Sequence, residues 1–175
     1  MFFVIQCEDT TGLYSDSLEG IKIANVSENI VQYSDNKGRS QVFPLISPNT
    51  RVKLRLSKEP IFPLQTHETS IQRGEIARII LDPKKGSMTL RVIYSDRSLV
   101  RAATVTLEGD GYFSEETTSS NGTALFQSPR IRPFKKFKVT VEKGVQRQTY
   151  NLWSKGWSTE EELTLYPVEG TGEGK

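Results

Sequence analysis

Residues 51–56 read Arg-Val-Lys-Leu-Arg-Leu, and residues 136–141 read Lys-Phe-Lys-Val-Thr-Val. Both alternate strictly. In an extended chain successive side chains point to opposite faces, so each run has one apolar and one largely cationic face. The pattern predicts a half-buried strand at both places. Shorter strand-like runs fall at 2–7, 20–24, 29–33, 39–43, 68–72 and 76–81. A second series follows at 88–95, 102–108, 112–118, 123–126, 146–152 and 161–166. Val, Ile, Thr, Tyr and Phe dominate these runs, the residue types that suit a pleated, half-buried surface. Asp35-Asn36-Lys37-Gly38 and Asn121-Gly122 are hairpin signals, since Asn and Gly tolerate positive φ. No segment carries a convincing helical period. Glu160-Glu161-Glu162 could open a helix, but Leu163-Thr164-Leu165-Tyr166-Pro167 continues it as a strand.

The two series are copies of one pattern. Gly38 and Gly122 close corresponding turns 84 residues apart, Leu56 and Val141 end corresponding strands 85 apart, and Pro83 and Pro167 follow corresponding strands 84 apart. A proline-containing turn, Ser47-Pro48-Asn49 or Arg132-Pro133, precedes each alternating run. Three ordered matches at one offset predict two units: residues 1–85 and 86–169, with a flexible Gly-rich tail at 170–175. Seven short strands per unit, separated by turns, predict an all-β chain of two tandem β-sandwich domains. An 84-residue unit buries a modest share of its surface, so packing of the copies would add stability.

Composition narrows the function. The chain has 175 residues, 23 basic and 21 acidic side chains, and a net charge of +2. Divided after Lys85, the halves carry 11 basic with 10 acidic and 12 basic with 11 acidic residues, so neither is a charged arm. Hydrophobic residues make up 35% and mean hydropathy is −0.45. No apolar run reaches the ~20 residues of a membrane-spanning helix. Residues 1–9 lack a basic leader and their apolar run stops at Gln6, which predicts no signal peptide and synthesis in the cytoplasm. One Cys excludes an internal disulfide framework and a multi-thiolate zinc site. One His excludes most designs that need two.

The second copy resembles a known family. Leu90-Arg91-Val92-Ile93-Tyr94, then Leu99 through Leu107, then Thr118-Ser119-Ser120-Asn121-Gly122-Thr123-Ala124-Leu125-Phe126 are similar to the carboxypeptidase regulatory-like domain. That domain is a transthyretin-like (prealbumin-like, Ig-like) β-sandwich related to Cna-type B repeats. The first copy matches through residues 18–23 and 34–38, with a longer loop after its first strand. The resemblance implies a scaffold fold that hosts adhesion, assembly and spacer roles. Two family chemistries are missing. The first strands, 2–7 and 88–95, have no Lys for an isopeptide crosslink, and one His does not furnish the transthyretin-like hydrolase site.

His67 reads as an exposed strand or loop residue. The sharper alternative, a Cys7–His67 dyad, requires a depressed thiol pKa for which the sequence gives no sign. Acidic residues are scattered without calcium-loop spacing, and phosphate-loop, nucleophile-elbow and zinc-protease motifs are absent. The expectation is therefore a non-enzymatic chain with no cofactor and no metal. Arg130, Arg132, Lys135, Lys136 and Lys138 form the densest positive run, interleaved with Phe134 and Phe137. Such runs occur on nucleic-acid surfaces; a solvated cationic face over a buried Phe137 and Val139 is favoured, and an acidic protein partner is at least as good a reading. Trp153 and Trp157 flank a Gly turn, either covering the sandwich end or anchoring a partner or a sugar ring. Phe62 and Leu64, taken to occupy the corresponding loop of copy one, join them as a candidate interface. The functional expectation is an adaptor that assembles with other protein subunits, as an accessory part of a phage virion, tail or tail-like injection machine. The alternative is a surface adhesion or carbohydrate-binding module.

Overall fold

The computed structural model describes residues 2–44 and 50–167. The expected turn at 47–49 and the tail at 170–175 lie outside the described residues. The chain divides into two compact units, Met1–Lys84 and Lys85–Lys175. Unit 1 holds β1 (Phe2–Asp9), β2 (Lys22–Asn25), β3 (Ile30–Tyr33), β4 (Phe43–Pro44), β5 (Thr50–Lys58), β6 (Phe62–Ile71) and β7 (Ile76–Leu81). Unit 2 holds β8 (Gly86–Tyr94), β9 (Thr104–Gly109), β10 (Tyr112–Thr117), β11 (Thr123–Ser128), β12 (Lys136–Lys143), β13 (Gln146–Trp153) and β14 (Ser158–Leu165). The only helical element among the described residues is one 3-10 turn, Ser15–Ser17.

Each unit is a sandwich of a three-stranded and a four-stranded sheet. Unit 1 orders them β4-β1-β7 and β3-β2-β5-β6; unit 2 orders them β11-β8-β14 and β10-β9-β12-β13. In both, the first and last strands pair in parallel and the remaining neighbours antiparallel. The alternation in the sequence sets the inner layer. Val52, Leu54 and Leu56 of β5, and Phe137, Val139 and Val141 of β12, are buried, while Lys53, Arg55, Lys136 and Lys138 face outward. Phe3 stacks on Phe43 in unit 1, and Met88 pairs with Phe126 in unit 2. A fully buried Phe contributes about 1.5–3 kcal/mol.

The repeat extends to buried polar detail. The Ser34 hydroxyl donates to the Leu18 carbonyl (2.5 Å) and accepts from Ile21 N–H (2.8 Å). The Thr118 hydroxyl treats the Val100 carbonyl (2.7 Å) and Ala103 N–H (2.9 Å) in the same way. The Lys58 and Lys143 ammonium groups bind carbonyls of the first inter-strand loop, at Ser17 and Ala102. Gly38 and Gly122 have φ of +76° and +68°, and a Cβ on either would fall 2.8 Å from the carbonyl of Cys7 or Val92. Only glycine fits that turn.

Three expectations are corrected. The Asp35–Gly38 and Asn121–Gly122 turns are tight, but each passes the chain from the four-stranded to the three-stranded sheet rather than closing a hairpin. The expected strand at 39–43 shrinks to Phe43–Pro44 with an isolated Gln6–Arg39 bridge, because the Ser40 hydroxyl takes the Ile5 N–H in place of a ladder bond. The segment 61–64 is not a loop equivalent to 153–157. Phe62 opens β6, whereas 153–157 follows the far end of the matching strand β13.

Candidate functional site

Three connections meet at one end of unit 2. The β9–β10 turn is Asp110-Gly111, with φ of +51° and +71°, the two positive angles of a tight hairpin. Asp110 accepts Arg132 Nη2 at 2.6 Å and Nε at 3.0 Å on one oxygen, with Lys135 Nζ 3.7 Å from the other. That ion pair ties the β9–β10 turn to the β11–β12 connection. Its side chains are about a quarter exposed, so charge-assisted bonds hold it against water better than at a fully open surface.

Ser154 joins the β11–β12 connection to the β13–β14 connection. Its buried hydroxyl donates to the Arg132 carbonyl and accepts Lys135 N–H at 2.8 Å. Backbone bonds Phe134 N–H to Ser154 O and Ser154 N–H to Lys135 O, both 2.9 Å, complete the stitch. Phe134 sits at φ +59°, a conformation bulky residues rarely adopt, and its ring is 75% exposed. Trp153, opposite Lys136 on the outer face of the four-stranded sheet, is 60% exposed. Trp157 is half-buried. Lys155 closes the end with a 2.6 Å contact to Glu161, and its N–H bonds the buried Thr159 hydroxyl.

The predicted basic run lies at this same end, but four of its neighbourhood's cations face carboxylates. Arg132 and Lys135 share Asp110, Lys138 is 4.0 Å from Glu108, and Lys155 pairs with Glu161. Arg130 and Lys136 have no ion pair among the described residues. Six cations (Arg130, Arg132, Lys135, Lys136, Lys138, Lys155) thus stand beside three carboxylate partners, leaving a moderate positive surplus around exposed aromatic rings, Phe113, Phe134 and Trp153. The Phe134 ring was legible only as part of the basic run; its exposure depends on the left-handed backbone that tips it outward.

The other two candidates part company. Phe62 is fully buried, with Tyr14 from the long β1–β2 loop 6.1 Å away edge-on, so it belongs to the core and not to an interface. Leu64 is 62% exposed on the outer face of the other four-stranded sheet. There it borders a shallow depression of about 270 Å³ with Lys22, Val31 and Arg55.

Cys7 and His67 lie in different sheets of unit 1. Burial pushes the Cys7 thiol up to about 12, the opposite of what a nucleophile needs. His67 Nε2 is buried without a hydrogen-bond partner. Among the described residues no three His, Cys, Asp or Glu side chains group as a metal site would require. No helix among them is long and apolar enough to cross a membrane.

No family model and no curated protein matches the chain. Solved structures do resemble it. Over 95% of its length the chain superposes on part of the Bacillus anthracis TIE protein with a TM-score of 0.56 at 13% identity. It spans about a third (34%) of that protein's length. The shaft pilin SpaA of Lactobacillus rhamnosus GG aligns over 96% of this chain and 98% of its own, with a TM-score of 0.42 and 10% identity. The minor pilin of Streptococcus agalactiae aligns over 96% of both chains, with a TM-score of 0.36 and 9% identity. The first of these likenesses concerns the fold: tandem β-sandwiches.

Proposed function

We propose that this chain is a non-enzymatic assembly module that binds another protein subunit through the aromatic, cation-rich end of unit 2. The observation that carries the reading is the pair Phe134 and Trp153. Both rings are exposed, yet both backbones are fixed: Phe134 lies on the connection held by Ser154 and the Arg132–Asp110 pair, and Trp153 ends β13 next to Ser154. Aromatic side chains on a preorganised backbone bury large area at low entropic cost, and they anchor interfaces for that reason. The positive surplus favours a partner surface that is acidic around an apolar centre.

The assembly we put forward is a phage virion, tail or tail-like injection machine, in which the chain is an accessory part; its support is the sandwich fold, which hosts assembly roles among others. The carboxypeptidase regulatory-like assignment also stands as a proposal, supported by the Thr118–Gly122 turn and its buried hydroxyl. A second reading is a surface module that binds sugar. The flat, exposed Trp153 indole beside Asn151 and Lys136 favours it.

Incorporation of Trp153→Ala and wild-type chains into the native particle separates these readings. The proposal expects the variant to fold normally and to be lost from the particle. Normal incorporation with weakened folding would reduce the loop to cover for the sandwich end. Glycan-dependent stabilisation of wild type, absent in Trp153→Ala, would favour the sugar reading.

A further inference from the structure

The outer strands of the two small sheets are built differently. In unit 1, Glu75 O accepts Val4 N–H and Leu81 O accepts Thr10 N–H. In a parallel ladder this sets the odd residues of β7 toward β1 and turns the backbone groups of Ile76, Arg78 and Ile80 to the free edge. In unit 2, Trp157 O accepts Ser87 N–H, which turns Glu160, Glu162 and Thr164 to the free edge of β14.

Unit 2 closes that edge twice. Tyr150 donates its hydroxyl to the Thr164 carbonyl, and Gln148 and Gln146 bind Tyr166 N–H and C=O at 3.1 and 3.2 Å. Its edge also carries Glu160 and Glu162, charges that oppose strand addition. Among the described residues, unit 1 closes only the end, where Gln65 binds both backbone groups of Asp82 at 2.8 and 3.0 Å. His67, in the place of Tyr150, has a buried Nε2 without a partner and leaves the Ile80 carbonyl unclaimed by a side chain of β6. The edge itself reads Ile-Ala-Arg-Ile-Ile-Leu, with Ile76 49% and Ile80 54% exposed. Phe2 (61% exposed) and Val4 extend the apolar face onto β1.

We propose that the free edge of β7 pairs antiparallel with β7 of a second copy of this chain, joining two three-stranded sheets into one. The edge strand itself points to a second copy: its one charge, Arg78, lies 3.8 Å from Glu8 of β1, so β7 presents a paired cation among isoleucines that another β7 would match. The other cation of this face, Arg39, is bonded to Gln6 on the side of β1 away from β7. A two-fold pairing that sets Arg78 opposite Ile80 of the second copy avoids placing the two Arg78 residues directly opposite each other. Main-chain bonds supply the affinity and the row of isoleucines the register.

Sedimentation of the full chain across a concentration series tests this. Wild type is expected to self-associate. Ile80→Lys places an ammonium on the edge and should weaken dimerisation about tenfold or more. Arg78→Pro removes a free-edge N–H without touching the bonds to β1 and should do the same. Thr164→Lys, at the matched place in unit 2, and Trp153→Ala should leave dimerisation unchanged, which separates this inference from the aromatic end. A wild-type chain that stays monomeric at every concentration overturns it, as does association that survives Ile80→Lys. If Arg78→Pro loses its strand signal in circular dichroism, Ile80→Lys alone decides.

Discussion

Unit 1 turns Phe2, Val4, Ile76, Arg78 and Ile80 outward from its small sheet; unit 2 turns Ser87, Thr89, Glu160, Glu162 and Thr164 outward from the same places. Inside, the two are nearly interchangeable: alternating apolar side chains, a matched buried hydroxyl (Ser34 and Thr118), a lysine over the first loop, a glycine at the sheet crossing. The inner layer answers to the fold, because every buried position must fill space and pair its polar groups. The outer layer is released from that demand, so its differences report what each unit meets. Unit 2 guards its small-sheet edge and offers an aromatic end. Unit 1 leaves its edge open.

If the interiors are equivalent, matched core truncations should cost alike. Phe43→Ala and Phe126→Ala each remove a ring from the same layer and should each destabilise their unit by about 3–5 kcal/mol in denaturant unfolding. A loss confined to one unit would show that the shared topology hides unequal cores.

The buried hydroxyl comes next. Ser34→Ala and Thr118→Val leave a carbonyl and an N–H unpaired in each unit, at about 2 kcal/mol apiece. Unfolding midpoints that move together would confirm that this knot is part of the fold, and an unmoved midpoint would reassign it to local turn geometry.

The edge caps should then diverge. Burial, and secondarily Tyr166, pushes the Tyr150 phenol above its ordinary pKa, so it stays a protonated donor across neutral pH. Tyr150→Phe should cost about 1 kcal/mol. His67→Phe removes a group that has no partner and should be close to neutral. Equal losses at the two places would break the contrast between a closed and an open edge.

Acid sharpens the comparison further. Asp35 and Ser119 organise the same turn, each accepting two backbone N–H groups. The Arg39 N–H, helped by Lys37, holds the Asp35 carboxylate below its ordinary pKa. A depressed folded pKa contributes order that is present above the unfolded value and lost as pH falls through the folded one. Amide exchange at Arg39 should therefore quicken on acidification, after correction for intrinsic rates, while Thr123 in unit 2 shows no such step.

Much of this was legible in the chain itself. The 84-residue offset shows in Gly38 and Gly122, and strict alternation marks Leu54, Leu56, Phe137 and Val139 as core. Other features needed the third dimension. Pro63 makes residues 61–64 look like a loop, yet it falls at the register shift between Leu56 and Lys58, where a missing N–H breaks no ladder bond. Phe62 and Leu64 look like one patch, yet one side chain turns to the core and the other to solvent. Tyr150 and His67 correspond only once two hairpins are in register, and Phe134 escapes notice because its exposure depends on a positive φ.

The smallest effect on stability should come from the residue expected to matter most for binding. Trp153 is exposed on the outer face of its sheet, and truncating it removes little buried area. Trp153→Ala should change unfolding free energy by no more than about 0.5 kcal/mol. Trp157, half-buried, loses more buried area when truncated and should cost more. An exposed indole that is nearly free for folding but indispensable for assembly has the signature of an anchor. If Trp153→Ala instead destabilises as much as Trp157→Ala, the ring is supporting the sandwich end, and the difference between the two units reduces to the open edge of β7.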